Sequence, residues 1–276
     1  MEDWYHPELV RPRLSSGERE SQIEASTWLL LDLLRGRGVK ATFFVVGEIA
    51  QRHPRLIEAI AADGHELACH GMSHRPLWQM TPDEFRSELQ EFAAAISAAV
   101  PGAEIVGFRA PTFSLDNRTR WALAILADLG YYYDSSIFPV RTPLYGVRGC
   151  PLGPYRPSWE DVAVADGGGM LLEFPMSVWS WAGLRLPVCG GFYLRALPFN
   201  LIRSCLRQIN EQRPFTIYVH PWETYAGTPR LALPLASRFV TYYNIGAMMP
   251  RLMALLNTFS FAPMRTVLEG MGELRK

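Results

Sequence analysis

The sequence predicts an α/β fold built around a parallel sheet. Segments with the apolar pattern of buried strands alternate with segments of helical periodicity along almost the whole chain. Parallel strands joined by helices are wound right-handedly, either as an open sheet or as a closed barrel. The 276 residues, of which 49% are hydrophobic and 20% charged, suit one large domain spanning 1–276, and one α/β barrel fits that length.

In the first part of the chain, helix and strand patterns alternate from residue 21 onwards. The predicted elements are, in order, a helix over 21–35, a strand over 41–47, a helix over 48–62 and a strand over 65–69. The run ATFFVVG (41–47) is β-branched and aromatic, which is typical of a strand buried on both faces. The next helix opens with a capping box: Thr81 is the N-cap, Pro82 the first helical residue and Glu84 the reciprocal partner.

The alternation continues to the C-terminal part. Strands are predicted over 105–111, 131–136, 170–175 and 215–220, and helices over 117–129, 198–211 and 245–258. Five polar residues fall at or just beyond the C-terminal ends of predicted strands: His70, Arg109, Asp134, Glu173 and His220. Because α/β barrels build their sites at this rim, these side chains are the candidates for chemistry.

The segment HGMSH places His70 and His74 four residues apart, directly after a predicted buried strand. On a helical turn, side chains at this spacing point the same way, so both imidazoles could bind one metal ion. Such a site needs a third ligand, usually a carboxylate, and a position left open for water. By itself the spacing is a weak pattern, and one surface and one capping histidine would also explain it, but its place at the rim favours metal binding.

The other rim residues each have two interpretations. His220 closes an apolar strand and is either a core histidine or an acid/base group, with Glu223 beside it as a possible orienting carboxylate. Arg109 needs either a carboxylate partner or a substrate anion. Asp134 or Glu173 could be that partner, or could hold an imidazole in the correct tautomer.

Composition narrows the classes of partner and compartment. Lysine plus arginine and aspartate plus glutamate both number 27, so no charge bias points to nucleic acid. No apolar stretch is long enough for a transmembrane segment, and the N-terminal residues lack a secretory core. The cysteines, without a CxxC pair, indicate free thiols in a reducing compartment, so a cytoplasmic location is expected. They are Cys69, Cys150, Cys189 and Cys205.

Seven ordered motifs resemble those of the polysaccharide deacetylase family, also called the NodB-homology or carbohydrate esterase 4 group. They are MEDWYH, ATFFVVG, GHELACHGMSH, GFRAPTFS, YYYDSSIFP, LLEFP and YVHPWE. The likeness extends from Glu2 to Asn257 and is strongest to the bacterial branch encoded in exopolysaccharide gene clusters, whose first motif reads like DVEDW. Several motifs in one order are far more specific than any one of them.

The resemblance implies a distorted (β/α) barrel of about seven strands. It also implies hydrolysis of N-acetyl groups on amino-sugar polymers or lipid-linked oligosaccharides. A divalent ion, commonly zinc, would be held by His70, His74 and an acidic residue, either Asp3 or Glu2, and we expect Asp3. His220 occupies the position of the general acid, and Arg109 that of the arginine that orients the catalytic base. Asp134 is the expected orienting carboxylate.

One departure from the family concerns the first motif. In the family the base is an aspartate two residues before the glutamate of DVEDW, at the end of the first barrel strand. Here Met1 stands in the place of the valine. We therefore expect the fold to lack its first strand and its base, and we hypothesise a misassigned start codon, since a GTG valine codon can be read as an initiator.

Two other functions compete with deacetylation. Relatives that share the barrel and the HxxxH arrangement hydrolyse cyclic amides or imides. A chain without its base could also be a carbohydrate-binding protein that no longer catalyses. The DVEDW-like start and the HPWE ending favour the amino-sugar substrate. No oligomeric state follows from the sequence.

Overall fold

The protein, described here from a computed structural model, has a parallel five-stranded sheet flanked by helices. The structure describes residues 1–11, 14, 21–167, 169 and 171–274. The sheet order is β1 to β5, and the strands are Thr42–Val45, Glu66–Cys69, Gly107–Phe108, Tyr133–Asp134 and Leu172–Glu173. A separate antiparallel hairpin consists of β6 (Val178–Trp181) and β7 (Leu184–Pro187).

Ten α-helices lie among the described ranges. In chain order, α1 to α10 are Ile23–Arg37, Gly47–Arg52, Pro54–Ala62, Pro82–Ala99, Trp121–Asp128, Gly191–Ala196, Phe199–Asn210, Leu235–Tyr242, Met248–Thr258 and Met264–Gly270. The capping box predicted for α4 is confirmed: the Glu84 amide donates to Thr81 Oγ1 at 3.3 Å, and the Thr81 amide donates to Glu84 Oε2 at 2.7 Å. Since the two contacts satisfy two otherwise unpaired donors, they fix the start of α4.

Both faces of the sheet are buried, which explains the continuous apolar runs of the strands. Phe43 and Val45 of β1 face the core formed with α1 to α5, whereas Phe44 faces a second cluster that includes Met264 and Leu268 of α10. Successive side chains of a strand point to opposite faces, so one apolar run supplies both cores.

The register brings the carboxyl ends of the strands to one edge of the sheet. Val45 pairs with Cys69, Cys69 with Phe108, Phe108 with Asp134, and Asp134 with Glu173. His70 and Arg109 come directly after two of these residues. The predicted location of His70 and Arg109 just beyond the carboxyl ends of parallel strands is therefore confirmed.

The α/β class with a parallel sheet is confirmed, but the details differ from the predicted barrel. Neither closure nor a seven-stranded sheet is seen in the described part of the chain, because the parallel sheet has five strands and the other two form the hairpin. The strand predicted over 215–220 forms only an isolated bridge, between Tyr218 and Gly190. The strand predicted over 170–175 is shorter, and its first residue, Met170, lies outside the described residues.

Two predicted helices also begin or end elsewhere. The helix predicted over 48–62 is divided at His53, because Pro54 disfavours helical backbone at the residue before it, and His53 has φ −130° and ψ 55°. The helix predicted over 245–258 begins at Met248, after a 3₁₀ turn over Ile245–Ala247.

The outer edge of β1 faces a cavity of about 360 Å³. Ala41 and Val45 accept hydrogen bonds from β2, at 3.0 and 2.9 Å, so the alternate residues Thr42 and Phe44 direct their backbone groups away from β2. Met1 pairs at this edge in the parallel manner: its amine donates to the Phe44 carbonyl, and its carbonyl accepts from the Val46 amide at 3.2 Å.

Substitution of Gly190 tests its close contact with the backbone of Tyr218, a residue that lines the cavity. An alanine Cβ at Gly190 would lie 2.0 Å from the Tyr218 carbonyl oxygen, where no relaxation of a flexible side chain relieves it. We expect Gly190→Ala to lower the free energy of unfolding in urea by about 1 to 3 kcal/mol, as overpacking does. The control is Gly36→Ala in α1, where no atom lies within 4 Å. A Gly190→Ala protein as stable as the parent would contradict this contact.

Candidate metal and acid-base site

Three side chains converge at the edge of the sheet: Glu2, His70 and His74. One ligand atom from each lies within 4.8 Å of the others, and all three residues are buried. The Glu2 carboxylate contacts His74 Nε2 directly and lies 3.6 Å from His70 Nε2. A carboxylate and two imidazoles are a donor set that suits zinc and leaves a position open.

The two histidines converge from a loop, so the helical turn predicted for HGMSH is wrong. Gly71 (φ 74°) and His74 (φ 57°) both adopt left-handed backbone and turn the chain so that the rings approach, with centroids 5.0 Å apart. Glu88 of α4 holds the loop, accepting from the amides of Met72 at 3.1 Å and Ser73 at 3.3 Å. The sequence analysis missed Glu88; its position on the apolar face of α4 is the signal that could have found it.

Hydrogen bonding fixes the orientation of His70. Its Nδ1 donates to the Arg109 carbonyl oxygen at 2.7 Å, which leaves the Nε2 lone pair directed at Glu2. Burial lowers the pKa of His70 to about 3, so the ring is neutral at physiological pH. Neutral imidazole is the form that binds a metal ion.

Asp3, the expected acidic ligand, is not part of this group, and the structure places Glu2 there instead. The Asp3 carboxylate accepts from the amides of Trp4 and Gln22, both at 3.0 Å, and from the Ser21 hydroxyl. It thus binds the chain just before α1. Because Met1 pairs with β1, Glu2 and Asp3 point to opposite sides, which selects Glu2 for the cavity.

Electrostatic compensation keeps the Glu2 carboxylate charged. Burial opposes ionisation, but the nearby charges of His74 and His220, with a hydrogen bond from His74, hold the pKa of Glu2 well below its usual value. His220 Nε2 lies 3.5 Å from Glu2 Oε1. Three imidazoles therefore face one carboxylate.

His220 is oriented from behind by Glu223 and Arg195. His220 Nδ1 lies 2.8 Å from Glu223 Oε2, and Arg195 Nε donates to Glu223 Oε1 at 3.0 Å. Burial opposes the charged imidazolium, but the carboxylates of Glu2 and Glu223 raise the pKa of His220. Its side chain is 31% exposed, at the bottom of the cavity, so solvent reaches a ring that protein atoms surround. Arg195 is supplied by α6.

Arg109 lies in the cavity wall without an ion pair to any described carboxylate. Its Nε and Nη2 donate to the carbonyl and the hydroxyl of Ser135, both at 2.8 Å, and its guanidinium lies 4.1 Å from the centre of the Phe44 ring. Burial lowers its pKa. The sequence suggested either a carboxylate partner or a substrate anion for Arg109. Since no described carboxylate forms an ion pair with it, the interpretation that stays open is binding of a substrate anion.

Asp134 and Glu173 form a buried carboxyl pair between β4 and β5, outside the cavity lining. Asp134 Oδ1 accepts from the Ser136 hydroxyl, and Glu173 Oε1 accepts from the Ile137 amide at 2.9 Å. Neither hydrogen bond reaches a histidine or Arg109, so the structure shows no contact that supports the predicted orienting role of Asp134. Burial and the neighbouring Asp134 carboxylate raise the pKa of Glu173 well above its usual value. The raised pKa favours the protonated form of Glu173, which allows the pair to share one proton.

Two protein families match successive parts of the chain. Residues 17–133 match a family described as polysaccharide deacetylase, and residues 135–269 match one described as domain of unknown function (DUF3473). The chitooligosaccharide deacetylase of Bradyrhizobium sp. (strain ANU 289) is 40% identical over 82 residues, which are 30% of this chain and 37% of that protein. The peptidoglycan-N-acetylglucosamine deacetylase of Bacillus cereus is 33% identical over 98 residues, 34% of each chain. The matches span little more than a third of these relatives.

Solved structures show the same fold over most of the chain. A structure from Pseudomonas aeruginosa PAO1 assigned to the polysaccharide deacetylases has a TM-score of 0.58 at 18% identity, covering 91% of this chain and 74% of that one. One from Mycobacterium smegmatis with the same assignment has a TM-score of 0.57 at 23% identity, covering 91% and 78%. The allantoinase PuuE reaches 0.57 at 16%, covering 91% and 74%. At these identities the likeness concerns the fold.

The carboxyl pair predicts how stability depends on pH. An acid whose pKa is raised on folding contributes stability below its usual pKa and loses it as pH rises toward the raised value. We expect the free energy of unfolding in urea, taken as the parent minus Glu173→Gln, to fall with rising pH above about 5, by up to about 1.4 kcal/mol per unit for one proton; the opposite contribution of His70, whose pKa is lowered in both proteins, cancels in this difference. Glu91→Gln, on the exposed face of α4, is the control and should keep the parent slope. An unchanged slope in Glu173→Gln would contradict the shared proton.

Proposed function

The chain belongs to the polysaccharide deacetylase family, and we propose that it hydrolyses N-acetyl groups of amino sugars in a polysaccharide or a lipid-linked oligosaccharide. The observation that carries the proposal is the convergence of Glu2, His70 and His74 beside His220. Curated relatives from Bradyrhizobium and Bacillus cereus, named as deacetylases of chitooligosaccharide and of peptidoglycan N-acetylglucosamine, support this substrate class.

We assign the acidic metal ligand to Glu2 and the imidazole ligands to His70 and His74, with zinc as the metal. The neutral His70 ring, its Nδ1 held by the Arg109 carbonyl, and the charged Glu2 carboxylate fit a divalent cation. A zinc ion held here supplies Lewis acidity, which polarises an acetamide carbonyl and makes water acidic enough to react near neutral pH.

His220 has the geometry of the proton donor to the leaving amine. Glu223 engages Nδ1, so Nε2 is the atom that faces the cavity and Glu2. The raised pKa favours the protonated ring that a proton donor requires. Amide hydrolysis adds water across the C–N bond, and the amine nitrogen leaves as a neutral group only when it receives a proton.

The general base requires a carboxylate near the ligand group. The cavity lining contains Glu8 and Glu223 besides Glu2, and Glu223 is engaged by His220 and Arg195. Asp3 is held by the chain before α1, and Asp134 lies outside the cavity lining. The contacts of Glu223, Asp3 and Asp134 therefore assign the base to none of these three.

The second family match and the cysteines support a pathway and a cellular compartment for the proposed reaction. The DUF3473 region, typical of the exopolysaccharide branch, supports a role in exopolysaccharide synthesis. The four cysteines are buried and unpaired, which supports a reducing, cytoplasmic compartment. No helix in the described ranges is both long and apolar enough to cross a membrane.

A matched pair of variants tests the ligand assignment. Glu2→Gln removes a ligand charge, so we expect zinc affinity, measured by competition with a chelator, to fall by more than the roughly 10- to 100-fold that changes around a metal site cost. Asp3→Asn should retain zinc, since its carboxylate faces the start of α1. Loss of zinc in Asp3→Asn with retention in Glu2→Gln would reverse the assignment.

The activity itself is tested by acetate release from chitooligosaccharides. We expect His220→Ala to retain zinc and to lose about 10²- to 10⁴-fold in turnover, as general-acid removal does. His53→Ala, which removes an imidazole paired with Glu24 at the surface, is the control.

Three outcomes would count against the function. Equal loss of zinc and turnover in His220→Ala would make it a ligand instead of a proton donor. Release of product from a cyclic amide, with none from N-acetylated sugar, would support the competing hydrolase. Zinc binding without turnover on either kind of substrate would support carbohydrate binding alone.

A further inference from the structure

Helix α8 (Leu235–Tyr242) presents an apolar face to solvent beside the cavity. Leu235, Phe239 and Tyr243 are spaced four residues apart, so they form one stripe along the helix. Their exposed fractions are 84%, 51% and 41%. Phe192 of α6, part of the cavity wall, lies against the stripe with its ring 5.5 Å from that of Phe239. We call Leu235, Phe239 and Tyr243 the α8 stripe.

The sequence around the stripe is basic. Between Glu223 and Glu269 there is neither aspartate nor glutamate, whereas four arginines occur: Arg230, Arg238, Arg251 and Arg265. Arg251 donates to backbone carbonyls, and Arg265 pairs with Glu104 and Glu269. Arg230 and Arg238 are exposed and have no ion pair with any described carboxylate. Arg238 belongs to α8, Arg230 lies over the ring of Tyr242 in the same helix, and residues 224–268 contain no carboxylate to neutralise them.

We propose that the α8 stripe docks on an anionic lipid surface. An exposed apolar stripe that includes aromatic rings, with arginines beside it and no acidic residue, has the composition of helices that lie in the interface of a bilayer. Anionic headgroups complement Arg230 and Arg238, and the acyl region accommodates Leu235 and Phe239. The absence of acidic side chains favours this occupant over a basic or neutral polymer.

The docking face is joined to His220 through buried groups. Arg195 donates to the carbonyls of Val240, at 3.0 Å, and Tyr243, at the end of α8, and also to Glu223. Glu223 in turn holds His220. A bilayer bound at α8 would thus lie beside the cavity, which Val240 and Thr241 of this helix line, and would present the sugar of a lipid-linked substrate there. The presentation of a lipid-linked sugar rests on the proposed function, whereas the binding of α8 to a bilayer does not.

The test is sedimentation of the protein with phosphatidylcholine vesicles, with and without phosphatidylglycerol. We expect binding to the vesicles that contain phosphatidylglycerol, weakened by high salt, since surface charges are screened. The double variant Leu235→Glu/Phe239→Glu should reduce the partition coefficient at least about tenfold, because two carboxylates replace apolar groups at an anionic surface. Arg238→Glu should reduce it less.

The matched control is Leu29→Glu, which changes an exposed leucine of α1 away from the stripe and should bind like the parent. Circular dichroism checks that the variants fold. Acetate release from a soluble chitooligosaccharide should be the same for the double variant and the parent, so loss of docking is distinguishable from failure of the deacetylase proposal.

Several results would overturn the docking proposal. The parent protein could fail to bind vesicles of either composition, or Leu29→Glu could weaken binding as much as the double variant does. A dimer in light scattering that the double variant converts to monomer, without vesicle binding, would assign the stripe to a second copy of the chain. Loss of chitooligosaccharide binding in the double variant, without vesicle binding, would assign it to the polymer.

Discussion

The buried carboxylate of Glu2 is the interaction on which the rest of the site depends. An uncompensated carboxylate in the interior costs several kcal/mol, and here the imidazoles of His74 and His220 offset that cost. These imidazoles come from two regions of sequence almost 150 residues apart. The carboxylate is itself fixed by the sheet, because Met1 pairs with β1. A slip of one residue in this pairing would turn Glu2 away from the histidines.

The site is held from behind by contacts that belong to the scaffold. Glu88 of α4 holds the loop that carries His70 and His74, and the Arg109 carbonyl sets the ring of His70. On the other side, Arg195 and Glu223 set the ring of His220. These supporting groups are buried, so each must be paired, and the pairing makes the geometry of the ligands a consequence of the fold.

Local signals predicted the features that depend on neighbouring residues. The capping box of Thr81 and Glu84 and the buried strand at 41–47 were found because their causes lie within a few residues. The hairpin of β6 and β7 was missed, because its turn at Ala182 (φ 47°) and Gly183 (φ 82°) lacks the usual asparagine or aspartate. The choice of Glu2 over Asp3 and the pairing of Arg195 with Glu223 depend on contacts between distant segments, which periodicity does not report.

The most direct test of the central role of Glu2 is X-ray absorption at the zinc edge of the zinc-loaded chain. We expect the first coordination shell of the zinc ion to contain two imidazole nitrogens, at about 2.0–2.1 Å, and carboxylate oxygen, with His220 outside the shell. A third imidazole in the shell would contradict the separation of ligand and proton donor. A shell without carboxylate oxygen would contradict the assignment of Glu2.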